Sequence, residues 1–412
     1  MALDWTRRIV GRRDFVKNAA AASLGAGIFS PLAATASIDL RPTRIANYRT
    51  LGRTGLRISD ISFGASRLRL GDEDIVRHAF DCGVNYFDSA ESYTGGDSEI
   101  VLGKALVGRR DKVFLTSKMI TTPDSKRESI MAALEGSLRR LGTDHVDVYF
   151  QHACNDVERL KNPEWHEFAD RAKQQGKIRF TGVSGHAGRL HESLDYAIDS
   201  GKFDVILCAY NFGQDPRFYQ RFLRSFDFVA LQPELPRILA KAHDKGVGVI
   251  AMKTLMGGRI NDMRPYQKNG ATFPQAAFRW VLSNPNVNAL IVTMTSAAMV
   301  DEYVGASGAT ALLEDDADLL KRYAVANSDS YCRIGCGICE SSCPAGVPIG
   351  EVLRSRMYAL DYKDRDLAVR EYTLLSVNAS ACLECSSRAC ADACPYGLET
   401  ACLTENTHRM LA

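Results

Sequence analysis

The chain carries twelve cysteines, and eight of them fall in two short blocks near the C-terminus. The first block is Cys332, Cys336, Cys339 and Cys343, followed by Pro344. The second is Cys382, Cys385, Cys390 and Cys394, followed by Pro395. Each ends in C-x3-C-P, the ending of the cysteine run that holds cubane iron–sulfur clusters through thiolates. Eight thiolates suit two 4Fe–4S clusters. Two other chemistries use cysteine at this density. Disulfides dominate small secreted scaffolds without a core, whereas here a long domain precedes the blocks. Two four-cysteine zinc sites are chemically feasible, but zinc ribbons keep paired C-x2-C knuckles, and neither block has two. The repeated ending favours iron–sulfur.

A second set of reactive types lies far upstream. Asp88 ends an apolar run in Asn85-Tyr86-Phe87-Asp88. Lys118 ends the next, Phe114-Leu115-Thr116-Ser117-Lys118, and His152 follows Val148-Tyr149-Phe150-Gln151. Tyr93 comes five residues after Asp88. Taken singly, Asp88 reads as a helix cap, Lys118 as a solvated side chain, His152 as a core histidine and Tyr93 as loop packing. Together they place ionisable groups at the ends of three successive strands, which changes the reading to a catalytic one.

The elements that position them alternate. Apolar runs rich in Val, Ile and aromatics occur at 59–64, 84–88, 112–118, 145–151, 178–183, 203–210, 247–252 and 287–293, with amphipathic stretches between them. Eight strand–helix units predict a (β/α)8 TIM barrel, whose active sites lie at the C-terminal ends of the strands. A doubly wound sheet would carry a glycine-rich turn after its first strand; here the sequence is Phe63-Gly64-Ala65-Ser66-Arg67. Between the cysteine blocks, Ile349, Val352, Leu353, Met357 and Leu360 recur at helical spacing, as do Leu367, Val369, Tyr372 and Leu375. Two helices are expected there, making a small α-helical ferredoxin-like iron–sulfur domain. In two-cluster ferredoxins the fourth cysteine of one run binds the other cluster. On that rule Cys343 joins Cys382, Cys385 and Cys390, and Cys394 joins Cys332, Cys336 and Cys339. The insertions, C-x3-C in block one and C-x4-C in block two, enlarge loops without removing a ligand. Cys82, Cys154, Cys208 and Cys402 read as small buried residues without a task.

Residues 11–17 read Gly-Arg-Arg-Asp-Phe-Val-Lys, followed by an Ala/Gly-rich apolar stretch and Ala34-Thr35-Ala36 before Ser37. This order resembles a twin-arginine signal peptide over 1–36 with an A-x-A cleavage site. A periplasmic or otherwise extracytoplasmic location is expected, by a route that carries folded proteins with cofactors inserted. The apolar stretch is too short and small-sided to span a bilayer well, so no membrane span is expected in the mature chain. Formal charge +2 and 46% hydrophobic content fit a globular protein and give no reason to expect nucleic-acid binding. The expected layout is a barrel over 47–310, a linker helix over 311–329 and the cysteine domain over 330–412.

From 47 to about 310 the chain resembles the aldo-keto reductases. DSAESYTGGDSEIVLGKAL over 88–106 looks like that family's D-T-A-x-x-Y-G-x-S-E-x-x-L-G-x-A-L segment, Gly182-Val183-Ser184 like its G-[VI]-S, and Phe278-Arg279-Trp280-Val281-Leu282 like its A-x-R-W-x-L helix. With the cysteine tail, the chain resembles the ferredoxin-containing branch. The resemblance implies a catalytic tetrad of Asp88, Tyr93, Lys118 and His152. Tyr93 would donate a proton to a carbonyl oxygen, Lys118 held by Asp88 would lower its pKa, and His152 would orient the carbonyl. It implies NAD(P) binding by Ser184, Asn211, Met252, Lys253, Leu255, Thr295 and Ser296, and a small carbonyl or alcohol substrate. Three positions depart from the family. Gly185 stands directly after Ser184 where an Asn is common, with His186 next. Met252 stands where many members stack an aromatic. The stretch after strand eight lacks the Lys and Arg that often hold a 2′-phosphate. NADH, NADPH held from elsewhere, and a flavin all stay open, as does a redox partner protein for the clusters. The alternative is a retired barrel that serves as scaffold for an electron-carrier or docking module.

Overall fold

A computed structural model describes residues 43–154, 156–186, 190–213, 234–256, 263–268, 271–326, 332, 336–360 and 364–412. The signal-peptide reading over 1–36 lies outside them. Two short strands, β1 (Tyr48–Thr50) and β2 (Arg57–Ser59), pair antiparallel as a hairpin. Eight more follow: β3 (Ile61–Gly64), β4 (Tyr86–Asp88), β5 (Phe114–Met119), β6 (Val146–Gln151), β7 (Ile178–Gly185), β8 (Val205–Ala209), β9 (Gly248–Met252) and β10 (Ala289–Thr293). Each pairs in parallel with its successor, and β10 closes on β3 in the register Leu290↔Ile61. The result is a TIM-type barrel.

The runs become strands because they are apolar on both faces, as parallel strands covered by helices must be. β6 is buried at every position. Inside the barrel, Tyr86, Val148, Phe150, Val205, Leu207, Ile250 and Ala289 form one cluster with Leu51, Leu56 and Ile58 of the hairpin, which therefore plugs the N-terminal end. Phe150 fits only because Gly182 faces it; a Cβ there would stand 2.3 Å from the ring. The apolar run at 59–64 is not one strand. It breaks at Asp60, whose buried carboxylate accepts Ser307 Oγ and Gly308 N, tying the hairpin to the end of the barrel.

After the barrel, the helix Asp316–Ala326 is anchored by a double hydrogen bond from buried Arg279 to Asp316, at 2.6 and 2.7 Å. The cysteine domain follows. Its helices Ile349–Leu360, Arg365–Thr373 and Thr400–Leu411 pack around Val347, Val352, Leu353, Ala368 and Tyr372. The last helix buries Thr400, Thr404, Thr407 and Leu411 on one stripe. Cys402 is off that stripe and exposed, so the expectation of burial fails for it, whereas Cys82, Cys154 and Cys208 are buried. Among the described residues no helix is long and apolar enough to cross a membrane.

Candidate active site and cysteine sites

The β4–β5 register places Asp88 opposite Thr116, and the β5–β6 register places Lys118 opposite Phe150. Both side chains point into the mouth. Lys118 is fully buried, and its Nζ donates to Asp88 Oδ2 at 2.6 Å, to Ser89 O at 2.6 Å and to Tyr93 Oη at 3.5 Å. Those three bonds use all the donors an ammonium has. Thr116 Oγ1 holds the other carboxylate oxygen of Asp88 at 3.0 Å. Tyr93 returns over the mouth on a turn pinned by Thr94, which donates to Leu68 O and accepts from Ser98 N. His152 meets the Tyr93 ring edge-on, centroids 5.6 Å apart. The four residues expected to act together therefore line one cavity of about 260 Å³.

The electrostatics differ from the simplest expectation. Burial pushes the Tyr93 phenol well above its ordinary value, and Asp88 and Glu371 add to the effect. Lys118 does not reverse this, because Asp88 already balances its charge and its bond to the phenol is long. Burial also lowers Lys118 and raises Asp88, each opposing the attraction between them. His152 is held neutral: burial lowers it far below its ordinary range, and Lys118 and Arg159 push the same way. Its Nδ1 is buried and has no hydrogen-bond partner among the described residues. The site thus offers a protonated phenol beside an ammonium and a neutral imidazole. That combination can give a proton to an oxygen on which negative charge develops.

The expected cofactor residues divide. Ser184, Met252, Lys253, Leu255 and Thr295 line the cavity. Ser184 Oγ accepts Ala153 N at 3.0 Å, which fixes it at the end of β7. Asn211 is buried just outside the lining; it donates to Lys253 O and accepts Gly213 N. Ser296 caps the helix Ala297–Val304, accepting Met299 N. Lys253 itself has a positive φ of 57° and donates to Tyr358 Oη at 2.9 Å.

Tyr358 belongs to the cysteine domain, and so do Leu367 and Glu371, which line the same cavity. The docking is polar as well as apolar. Arg354 Nη1 donates to His186 Nδ1 at 2.6 Å, and Arg67 pairs with buried Asp364 at 3.3 Å. Met357 joins the barrel's own hydrophobic core. Met357 and Leu367 carried a helical-period signal, but what each of these residues touches follows only from the meeting of two domains. His186 stands beside one departure from the family's pattern, Gly185 directly after Ser184.

A second cavity, of about 30 Å³, is bordered by Cys343, Cys382, Cys385 and Cys390. These are the four that the ferredoxin rule groups together. Cys339 neighbours Cys336 and Cys394; burial and then the nearness of those thiols push it up to about 12. Thiols that oppose one another's ionisation are relieved by a cationic centre, which takes them as thiolates. Spacing separates the candidate centres. A tetrahedral zinc with bonds of about 2.3 Å needs its sulfurs about 3.8 Å apart. Among the described residues, the one group of three or more such ligand atoms within 4.8 Å of one another is His78, Cys82 and Asp301, so the eight cysteines are spread wider than one ion requires. No disulfide joins them. The donor set fits iron–sulfur clusters.

Comparison with known proteins agrees with this geometry. Residues 71–324 match the aldo/keto reductase family and residues 331–398 match a 4Fe-4S dicluster domain. L-galactose dehydrogenase of Arabidopsis thaliana is 28% identical over 296 residues, 63% of this chain and 87% of its own. L-glyceraldehyde 3-phosphate reductase of Escherichia coli O157:H7 is 23% identical over 302 residues, again 63% and 87%. A solved aldo-keto reductase from Bacillus halodurans, 23% identical, superposes with a TM-score of 0.52 over 67% of this chain and 95% of its own, which shows a shared fold. With a family match over more than half its length, and a barrel mouth built as described, the chain belongs to the aldo/keto reductase family and carries a 4Fe-4S dicluster domain at its C-terminal end.

Proposed function

We propose that this oxidoreductase interconverts a small carbonyl compound and its alcohol by hydride transfer with a bound nicotinamide, while two 4Fe–4S clusters exchange electrons with a partner. The observation that carries the reading is the bonded set Asp88–Lys118–Tyr93, with His152 on the same cavity wall. Tyr93 holds the proton that the reduced carbonyl oxygen takes. Its high pKa keeps that proton in place until negative charge develops on the oxygen. Lys118 keeps its positive end beside the phenol and stabilises the phenolate left behind. His152, neutral, orients the oxygen without competing for the proton. The nicotinamide supplies hydride when bound, and Ser184, Met252, Lys253, Leu255 and Thr295 are the residues that would hold it. The names of two relatives, an L-galactose dehydrogenase and an L-glyceraldehyde 3-phosphate reductase, support a polyhydroxylated substrate.

Cys343, Cys382, Cys385 and Cys390 would hold one cluster, and Cys332, Cys336, Cys339 and Cys394 the other. Export by the twin-arginine route fits clusters that must be inserted before crossing. The experiment is anaerobic isolation of the holoprotein, extraction of its bound cofactor and an aldehyde-reduction assay with that cofactor. A nicotinamide should be recovered, and Tyr93→Phe should lower turnover by roughly 10²-fold or more while cofactor stays bound. Full activity in Tyr93→Phe, or a flavin in the extract, would end the nicotinamide reading. The address is tested separately: Arg12→Lys with Arg13→Lys should leave the precursor in the cytoplasm, and unchanged export would show the signal misread.

A further inference from the structure

His186 is buried at the end of β7, lines the reaction cavity and plays no part in the tetrad. Its Nδ1 receives Arg354 Nη1 at 2.6 Å. Arginine has donors and no acceptor. Nδ1 must therefore be unprotonated, and the proton of the neutral ring sits on Nε2, a tautomer assigned from the hydrogen-bond network. Arg354 is itself fixed. It pairs with Glu351 one turn earlier on the helix Ile349–Leu360 of the cysteine domain. Burial, then Arg354, Lys253 and His152, keep the ring uncharged. In the lining of the same cavity, Ser66 Oγ and Thr293 Oγ1 share one hydrogen bond at 2.9 Å, which leaves donor and acceptor capacity for a ligand.

We propose that His186, set as a hydrogen-bond donor by Arg354 of the iron–sulfur domain, selects substrates with an oxygen beyond the reacting carbonyl. This rests on the carbonyl–alcohol reading above and names the residue that would read a second oxygen in its polyhydroxylated substrates. Tyr93 and His152 serve the reacting oxygen. His186 Nε2–H serves a second one, with Ser66 and Thr293 available to neighbouring hydroxyls. Arg354 is a positioning residue, acting through the imidazole. The iron–sulfur domain thereby helps to set specificity in the barrel.

The probes are glyceraldehyde and propanal, which differ by two hydroxyls, offered to the anaerobic full-length holoprotein. His186→Ala should raise KM for glyceraldehyde about tenfold, the scale of one lost hydrogen bond, and leave propanal unchanged. His186→Gln, which restores an N–H donor, should recover part of the loss. Nitrogen-15 NMR of labelled histidine should show His186 protonated on Nε2, with a mixed tautomer in Arg354→Met and partial recovery in Arg354→Lys. Added glyceraldehyde should shift the Nε2–H resonance, and propanal should not. That binding readout needs no turnover, so it separates failure here from failure of the carbonyl reading. A proton on Nδ1 in the wild type, equal KM changes for both aldehydes in His186→Ala, or no glyceraldehyde-specific shift would overturn the proposal.

Discussion

At the scale of single residues, the proposed catalytic set rests on compensated burial. Lys118 and Asp88 are each too buried to ionise cheaply alone, and each shifts toward neutrality for that reason. Their 2.6 Å contact, with Ser89 O and Thr116 Oγ1 completing the bonds, is what keeps the pair charged. Removing one partner strands the other. Lys118→Met should therefore lower turnover on the scale of Tyr93→Phe and also destabilise the fold by about 3–5 kcal/mol, the usual cost of orphaning one half of a buried pair. Lys118→Met with Asp88→Asn should regain much of that stability and none of the activity. The double variant should lose little more activity than either single one, because the residues act as a unit. Urea denaturation beside steady-state kinetics separates the two effects. Stability equal to wild type in Lys118→Met would contradict the account of the pair.

At the scale of elements, the helix Arg365–Thr373 presents Leu367 and Glu371 to the reaction cavity, so its start must be well placed. Asp364 does two jobs there. Its Oδ1 accepts Leu367 N at 3.0 Å as an N-cap, and its carboxylate meets Arg67 of the barrel mouth at 3.3 Å. Capping needs only an oxygen, and Asn caps as well as Asp. Asp364→Asn should retain the cap and lose the charge, whereas Asp364→Ala loses both. The Ala variant should fall below the Asn variant by about 1 kcal/mol. Hydrogen exchange at the Leu367 amide reads this directly: it should be faster in Ala than in Asn. Equal exchange in the two variants would show that the ion pair, and not the cap, sets the helix start.

At the scale of the whole molecule, one helix connects two chemistries. Ile349, at its start, borders the cavity of Cys343, Cys382, Cys385 and Cys390. Tyr358, nine residues on, lines the reaction cavity. At 1.5 Å per residue that is about 14 Å. The loop and the helix are joined by Glu340, whose carboxylate accepts Gly350 N at 2.8 Å. Cluster occupancy should therefore be felt at the barrel mouth. Cys343→Ala should lose the cluster of the second block, and Cys394→Ala that of the first, against the order of the sequence. Iron and acid-labile sulfide should fall by about half in each, with distinct electron paramagnetic resonance spectra. Hydrogen exchange around Tyr358 should quicken more in Cys343→Ala. Stoichiometric zinc without sulfide in the wild type would overturn the cluster assignment.

The sequence alone determined what depends on local pattern. The eight barrel strands were legible because parallel strands covered on both faces are near-continuous apolar runs. The two helices between the cysteine blocks were legible from 3.6-residue periodicity. Asp88, Lys118 and His152 were legible because a polar residue at the end of such a run has one place to go, the C-terminal face of the barrel. Tertiary structure decided the rest. The hairpin β1–β2 is too short to announce itself, and its apolar residues acquire meaning only as a plug. The break at Asp60 depends on Ser307 and Gly308, nearly 250 residues away along the chain. The state of Tyr93 depends on its burial and on Glu371 of the cysteine domain, neither visible beside Lys118 in the sequence. Arg354 and Tyr358 on one helix, and Glu371 on the next, look like surface residues until those helices dock. Pattern reveals which face of an element is buried, but the partner it is buried against comes from long-range packing, and here that packing brings the iron–sulfur domain into the barrel's reaction cavity.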